Sequence, residues 1–230
     1  KTTSHLMKYI NSKNISVIIQ GAYIRKNEVS LISTCRVISA WKLLLPDAQI
    51  ILSTWEDPEE SSLSIDELVL NEDPGVTLMG RSIFPKTKDN NIGRQIVTTK
   101  NGLAVSNRKY SIKTRTDIMP SSIEFINIFL TSRDRHSDFC ILDHPVVTCT
   151  YCSRDPDLSG MYLHVSDIFH FGTTADLKKI WDIAVPERIN LCDTKKTYYH
   201  FESKYSSFLS IYDYMLKPEQ YVTLNFIRKH

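Results

Sequence analysis

An α/β fold with a mostly parallel sheet flanked by helices is what the sequence predicts, and three observations lead there. Ile15-Ser16-Val17-Ile18-Ile19 is a short, nearly continuous apolar run closed by Gln20-Gly21, the pattern of a strand buried on both faces and followed by a turn. Leu31, Cys35, Ile38 and Leu45 then recur at helical spacing until Pro46-Asp47, and Ala48 to Ser53 forms a second apolar run, which completes a β-α-β unit. Further on, Tyr110 to Thr114 is short and β-prone, with Arg115-Thr116-Asp117 placed where a strand should end. Open α/β sheets bind ligands outside the carboxyl ends of their strands, so the polar residues at those ends are the first candidates for a site.

The 230 residues suit one large domain or a domain with a small annex, enough to bury a proper core. Hydrophobic content of 42% and charge of 23% exclude the disordered and fibrous classes. A net charge of +2, with Lys and Arg scattered and no basic stripe or RNA-binding aromatic motif, gives no support for a nucleic-acid partner. Five cysteines, an odd number, fit a reducing compartment better than a disulfide scaffold, and a cytoplasmic protein is expected. No run of eighteen apolar residues exists, and the opening residues, with Lys1 to Met7 reading as a flexible arm, lack the apolar core of a signal peptide.

In chain order, Ser53-Thr54-Trp55-Glu56 closes the second strand, Asp57 to Ser64 is an acidic loop, and Leu68-Val69-Leu70 reads as a third strand. Asp73-Pro74-Gly75 is a turn and Pro85 to Asp89 a polar surface loop. From Ile92, the residues Ile96, Val97, Leu103 and Ala104 keep one helical face apolar, while Arg94 and Asn101 share a polar flank. A helix is expected after Pro120, with Ile123, Ile126 and Leu130 inward. Strand-like pieces follow at Cys140 to Leu142 and Pro145 to Tyr151, and Thr173-Thr174 caps a helix with Leu177, Ile180, Trp181 and Ala184 on one face. Asn190 to Tyr214 is rich in Tyr and Phe without clean periodicity, and a last helix starts at Pro218 with Glu219 and Gln220 in its first turn.

Several stretches taken together, ISVIIQG at 15–21, PDAQIILSTWE at 46–56, DELVLNEDPG at 66–75, NIGRQIVTTKNGL at 91–103, KYSIKTRTD at 109–117 and more loosely HVSDIFHFGTTADL at 164–177, resemble the WavE lipopolysaccharide-synthesis family of bacterial glycosyltransferases, and more distantly the GT-A class that uses nucleotide sugars. The resemblance implies a GT-A-type Rossmann-like sheet with a C-terminal acceptor-side extension. Residues 1–119 would form the nucleotide-sugar-binding half and 120–230 the acceptor-side half of the same domain. The first strand-to-helix loop, Gln20-Gly21-Ala22, would lie along the nucleotide, with Glu56, Asn91, Arg94, Arg115 and Asp117 as further donor-binding residues.

The usual aspartate-x-aspartate motif falls at Arg115-Thr116-Asp117, where an arginine replaces the first carboxylate. Two carboxylates hold a divalent cation, manganese or magnesium, on a donor diphosphate; a guanidinium can instead contact phosphate oxygens directly, so Asp117 as a metal ligand and metal independence both stand as expectations. Asp117 is a metal or ribose ligand, or else the N-cap of the helix after Pro120. Arg115 binds phosphate, or pairs with Asp117, or does both. Arg94 reads the nucleotide or is solvated on its helix. Glu56 contacts base or ribose, or is solvated, and Trp55 is core or stacks a sugar. Lys100, angularly inside the apolar face, is expected to snorkel outward.

For the base that deprotonates an acceptor hydroxyl, Asp167 and Glu219 are the catalytic candidates, although an acid in a first helical turn also suits the helix dipole. Cys149-Thr150-Tyr151-Cys152 has the spacing of half a zinc site, but no second pair follows, and His164 and His170 read as core or surface histidines rather than ligands. The expected activity is glycosyl transfer from a nucleotide sugar to a lipopolysaccharide or surface-polysaccharide acceptor. The acceptor is a glycan or lipid-linked, which would bring the protein to the inner-membrane surface without a spanning segment. A nucleotidyltransferase or sugar-phosphate enzyme, and a non-catalytic nucleotide-sugar-binding assembly subunit, are the rival readings.

Overall fold

The computed structural model describes residues 9–25, 32–58, 63–79, 89–132, 138, 140–159, 161–186, 188–189 and 217–230. The first strand, β1 (Ile15–Gln20), is buried at every position, as its unbroken apolar run requires. Helix α1 (Thr34–Leu44) follows, then β2 (Gln49–Thr54), also buried throughout, and the more exposed β3 (Glu67–Leu70). After β4 (Thr77–Met79) and β5 (Asp89–Asn90), helix α2 (Ile92–Ala104) leads into β6 (Tyr110–Arg115). Helix α3 (Phe125–Thr131), β7 (Val147–Thr148), the single turn α4 (Pro156–Ser159) and β8 (His170–Thr173) come next. The chain closes with α5 (Thr174–Trp181), β9 (Arg188–Ile189) and α6 (Pro218–Lys229).

Six strands form the main sheet in the order β3-β2-β1-β6-β8-β7. The first four in that order run parallel, and β8 is antiparallel to both neighbours. The sheet is thus mostly parallel, as expected. Alternation along β1 divides the core: Ile15, Val17 and Ile19 pack with α1 and α3, whereas Ile18 packs with α2, α5 and α6. Helix α2 lies close on the sheet because it presents Gly102, where a Cβ would sit 2.6 Å from Ile18 Cγ2. Among the described residues no helix is long and apolar enough to cross a membrane.

Several expectations are corrected. The helix after Pro120 begins only at Phe125, with Glu124 as its N-cap and Ile123 ahead of it, and the Phe125 ring packs 4.9 Å from Phe171 and 5.0 Å from Phe169. Asp117 is therefore not its N-cap. Cys140 to Leu142 is no strand: Ile141 and Leu142 pack on the second core cluster, and the amides of Asp143 and His144 donate to the fully buried Asp176 carboxylate at 2.8 and 3.1 Å. Only Val147–Thr148 of the 145–151 piece pairs as a strand. Asp89 belongs to β5, which with β4 and β9 forms a separate three-stranded sheet. Ala104 is exposed at the end of α2, its place on the buried face taken by Thr98, Thr99 and Gly102. Ala184 lies beyond α5 and is exposed, while Ile183 is buried instead. Residues 1–8, 80–88 and 190–216, including most of the Pro85 to Asp89 loop and the Tyr- and Phe-rich stretch, lie outside the described residues.

Candidate functional site

The chain leaves β1 for β2 on one side and reaches β6 on the other, so the carboxyl ends of β1, β2 and β6 open at a switch point of the sheet. Backbone contacts there are tight. The Gly21 amide donates to Ser53 O at 3.1 Å, and the Thr116 amide donates to Gln20 O at 3.0 Å. Gly21 has φ +130°, and a Cβ on it would meet Thr116 Oγ1 at 2.8 Å. Only glycine suits both constraints. The buried Gln20 side chain accepts from Thr98 Oγ1 at 2.8 Å, tying the end of β1 to α2.

One cleft of about 350 Å³ at this edge is lined by all eight residues expected on the donor side: Gln20, Gly21, Ala22, Glu56, Asn91, Arg94, Arg115 and Asp117. Trp55 and Gln95 line it too. Arg94 is held from three directions. Its guanidinium donates to both Asp73 oxygens at 2.7 and 2.6 Å and to Asn91 Oδ1 at 3.0 Å, and it lies 5.1 Å from the centroid of the Trp55 ring. Hydrogen bonding to Asp73 raises the Arg94 pKa and Arg94 lowers that of Asp73. Arg94 is thus anchored at the cleft wall, and Trp55 is only half-buried, beside it. Asn101, on the same flank of α2, donates to Asn71 Oδ1 at 2.8 Å.

Arg115 and Asp117 form a two-pronged pair, Nε to Oδ1 at 2.8 Å and Nη2 to Oδ2 at 2.6 Å. Their hydrogen bonds raise the Arg115 pKa; burial pushes the Asp117 carboxyl up, but the bonds and charge of Arg115 outweigh it and hold it below the usual range. The side chains are 41% and 38% exposed, so the pair can be reached from solvent. Both oxygens of Asp117 are engaged, and among the described residues no three His, Cys, Asp or Glu side chains converge as a cation site. The donor set as arranged does not fit a divalent cation, which asks for several free oxygen ligands.

A second cleft, of about 460 Å³, shares Asn91, Gln95, Arg115 and Asp117 with the first and brings in Asp167, Glu219, Tyr151 and Cys152. The two catalytic candidates, which the sequence places in different elements, therefore face one space. Asp167 precedes β8, and Glu219 is in the first turn of α6. Burial, then the charge of Asp167, pushes the Glu219 carboxyl above its ordinary value. The buried His164 places Nε2 3.7 Å from Glu219 Oε2.

His170 is a core histidine, as expected. Its Nδ1 accepts from Trp181 Nε1 at 3.1 Å and its Nε2 faces Ser166 O at 2.9 Å, which fixes the neutral tautomer with the proton on Nε2. Burial lowers its pKa to about 4. Trp41 and Trp181 are core, and Lys100 reaches outward to Asp182 at 2.7 Å. Sequence reasoning missed Gln95 and Lys113. A lysine in the middle of a β-prone stretch, YSIKTR, is the signal that could have found the second.

The chain is thus an α/β protein whose mostly parallel sheet carries, at its switch point, a cleft lined by Arg94 and Arg115 beside one lined by Asp167 and Glu219. The chain belongs to the WavE lipopolysaccharide synthesis family, which it matches over residues 15–230, nearly its whole length. That membership places it in lipopolysaccharide synthesis, with a biosynthetic role. A search of curated protein sequences found no match.

Proposed function

We propose that the protein is a GT-A-type glycosyltransferase that moves a sugar from a nucleotide-sugar donor to a lipopolysaccharide or surface-polysaccharide acceptor. The observation that carries this reading is the meeting of the two clefts at Arg115 and Asp117, with guanidinium groups on one side and a carboxylate pair on the other. The donor nucleotide lies along Gln20-Gly21-Ala22, beside Trp55 and Glu56. Its phosphates face Arg115, with Arg94 behind them.

In the transfer, an acceptor hydroxyl in the second cleft attacks the anomeric carbon while a carboxylate, Asp167 or Glu219, takes its proton. The bond from that carbon to the donor phosphate breaks, and its electron pair goes to the phosphate oxygen. Arg115 stabilises the charge developing there without a resident cation. The direct displacement inverts the anomeric configuration. A lipid-linked acceptor brings the protein to the cytoplasmic face of the inner membrane as a peripheral partner.

A thermal-shift panel with UDP, GDP, CMP, dTDP and ADP, each with and without manganese, tests the reading. A ligand at about a hundred times its dissociation constant adds roughly 2.7 kcal/mol of stability. One nucleotide should stand out without needing manganese, and Arg115→Ala should abolish its shift. A manganese-dependent shift would return Asp117 to the role of metal ligand. No shift with any nucleotide at millimolar concentration would sink the donor assignment, and binding without sugar transfer would favour an assembly subunit.

A further inference from the structure

The strand β6 that carries Arg115 to the cleft edge also carries a lysine with no exposure at all. Lys113 is fully buried, on the face of the sheet covered by α2 and α5, with its ammonium 4.7 Å from the centroid of the Trp181 ring. Its Nζ donates to the main-chain oxygen of Asp167, and Gln95 Nε2 of α2 donates to the same oxygen at 3.2 Å. The preceding carbonyl, Ser166 O, is held in turn by Thr148 Oγ1 at 2.9 Å and by His170 Nε2 at 2.9 Å, and the Ser166 amide donates to Ser153 Oγ at 3.0 Å. Five side chains from different parts of the molecule thus bind the backbone of two consecutive residues, Ser166 and Asp167. A short loop needs no such clamping to close a connection; a side chain that must keep one direction does.

Burying an unpaired ammonium is costly, and an apolar residue would fill the position between Ile112 and Thr114 without that cost. The titratable groups around Lys113 are Asp167, Cys149 and Asp117, whose negative forms favour its protonated form, and Arg115, which opposes it; His170, beside it on β8, is neutral. Asp167 acts most strongly among them. Its neighbour in the second cleft, Glu219, feels burial and the Asp167 charge and is pushed toward its protonated form.

We propose that Lys113 is the positioning residue of this site, fixing the Ser166-Asp167 turn from beneath so that the Asp167 side chain faces the second cleft as the base of the transfer. This rests on the transfer reading for the use of that base, but the hold of Lys113 on the Ser166-Asp167 turn is measurable without it. Burial lowers the Lys113 pKa to about 8, so the arrangement is charged at neutral pH and discharges on the alkaline side.

The test is NMR on the full chain, following amide hydrogen exchange in the Ser166-Asp167 turn and carbon-13 titration of the lysine side chains. In Lys113→Met the turn amides should exchange about fivefold faster or more, as loss of a clamping hydrogen bond requires. In Asp167→Asn the buried lysine should titrate lower, because the Asp167 charge favours its protonated form. Unchanged exchange in Lys113→Met, or an unmoved lysine midpoint in Asp167→Asn, overturns the proposal. Nucleotide release from sugar conjugates of the nucleotide chosen by the thermal-shift panel is followed in parallel. It should fall about tenfold or more in Lys113→Met, with the alkaline limb of the wild-type pH profile lost. A release rate and profile unchanged by Lys113→Met overturn the positioning role. Faster exchange in Lys113→Met and a lowered lysine midpoint in Asp167→Asn, with no release by the wild type, uphold the Lys113-Asp167 pairing and refute the transfer reading.

Discussion

Lys113 costs the fold stability, and the sign can be worked out. Its ordinary pKa is 10.5 and its folded value about 8, so between those values the unfolded chain holds a proton that the folded chain has released. Stability attributable to this group therefore rises with pH through that window and is at its lowest at neutral pH and below. Lys113→Met should raise stability at pH 7, by on the order of 1–3 kcal/mol, with the gain shrinking above about pH 10. Asp167 O keeps Gln95 as a partner in that variant. Denaturant unfolding at pH 7 and pH 10 checks it, and a loss of stability at pH 7 would show that the ammonium is structural. Activity falling while stability rises is the signature of a residue kept for function. The sequence did not reveal it, because a lysine within a strand reads as an outward-facing position until pairing shows which face is covered.

At the scale of elements, the end of β1 is the least tolerant point. Gly21→Ala would force an L side chain into φ +130° and press a methyl against Thr116 Oγ1. A loss of about 1–3 kcal/mol is expected in chemical denaturation, together with weakened nucleotide binding, since β1 and β6 would be spread where the cleft begins. Unaltered binding would mean that the cleft adjusts. Elements buried on both faces were legible from sequence: β1 and β2 read as unbroken apolar runs, and α5 declared itself through Thr173, whose hydroxyl accepts from the Asp176 amide at 3.1 Å. β8 was not legible. His170-Phe171-Gly172-Thr173 has no alternation of its own and becomes a strand only by pairing with β6 and β7. The same holds for β4 and β9, which meet from distant parts of the chain. The donor-side residues were legible because strand ends can be read from the sequence; that Asp167 and Glu219 share a cleft depends on how α6 packs, which no local pattern encodes.

For the whole molecule, acid should be the weak side. His170 is fully buried and neutral, with a folded pKa of about 4 against an ordinary 6.5. Its contribution is present above pH 6.5 and is lost as pH falls toward 4, because the unfolded chain takes up a proton that the folded chain refuses. The loss is on the order of 3 kcal/mol across that window. Unfolding free energies measured at intervals from pH 7 to pH 4 should show the decline, and His170→Asn should flatten it; an equal slope in both proteins would place the sensitivity elsewhere. His170 joins β8, α5 and the Ser166 turn, so acid would loosen the second cleft as part of the general decline.

Arg115 in the free protein already has an occupant. Asp117 fills its fork with the geometry a phosphate would adopt, so an incoming anion has to evict a tethered competitor rather than fill a vacancy. On the proposed reading such a seat would be selective by eviction: chloride or a lone singly charged ion would gain too little to displace the carboxylate, whereas a diphosphate carrying more charge and anchored through its nucleoside would gain enough. The displaced Asp117 would then be set free at the boundary of the two clefts, newly able to accept a hydrogen bond from whatever arrives beside the donor. Arrival of the first ligand would in that way ready the place for the second.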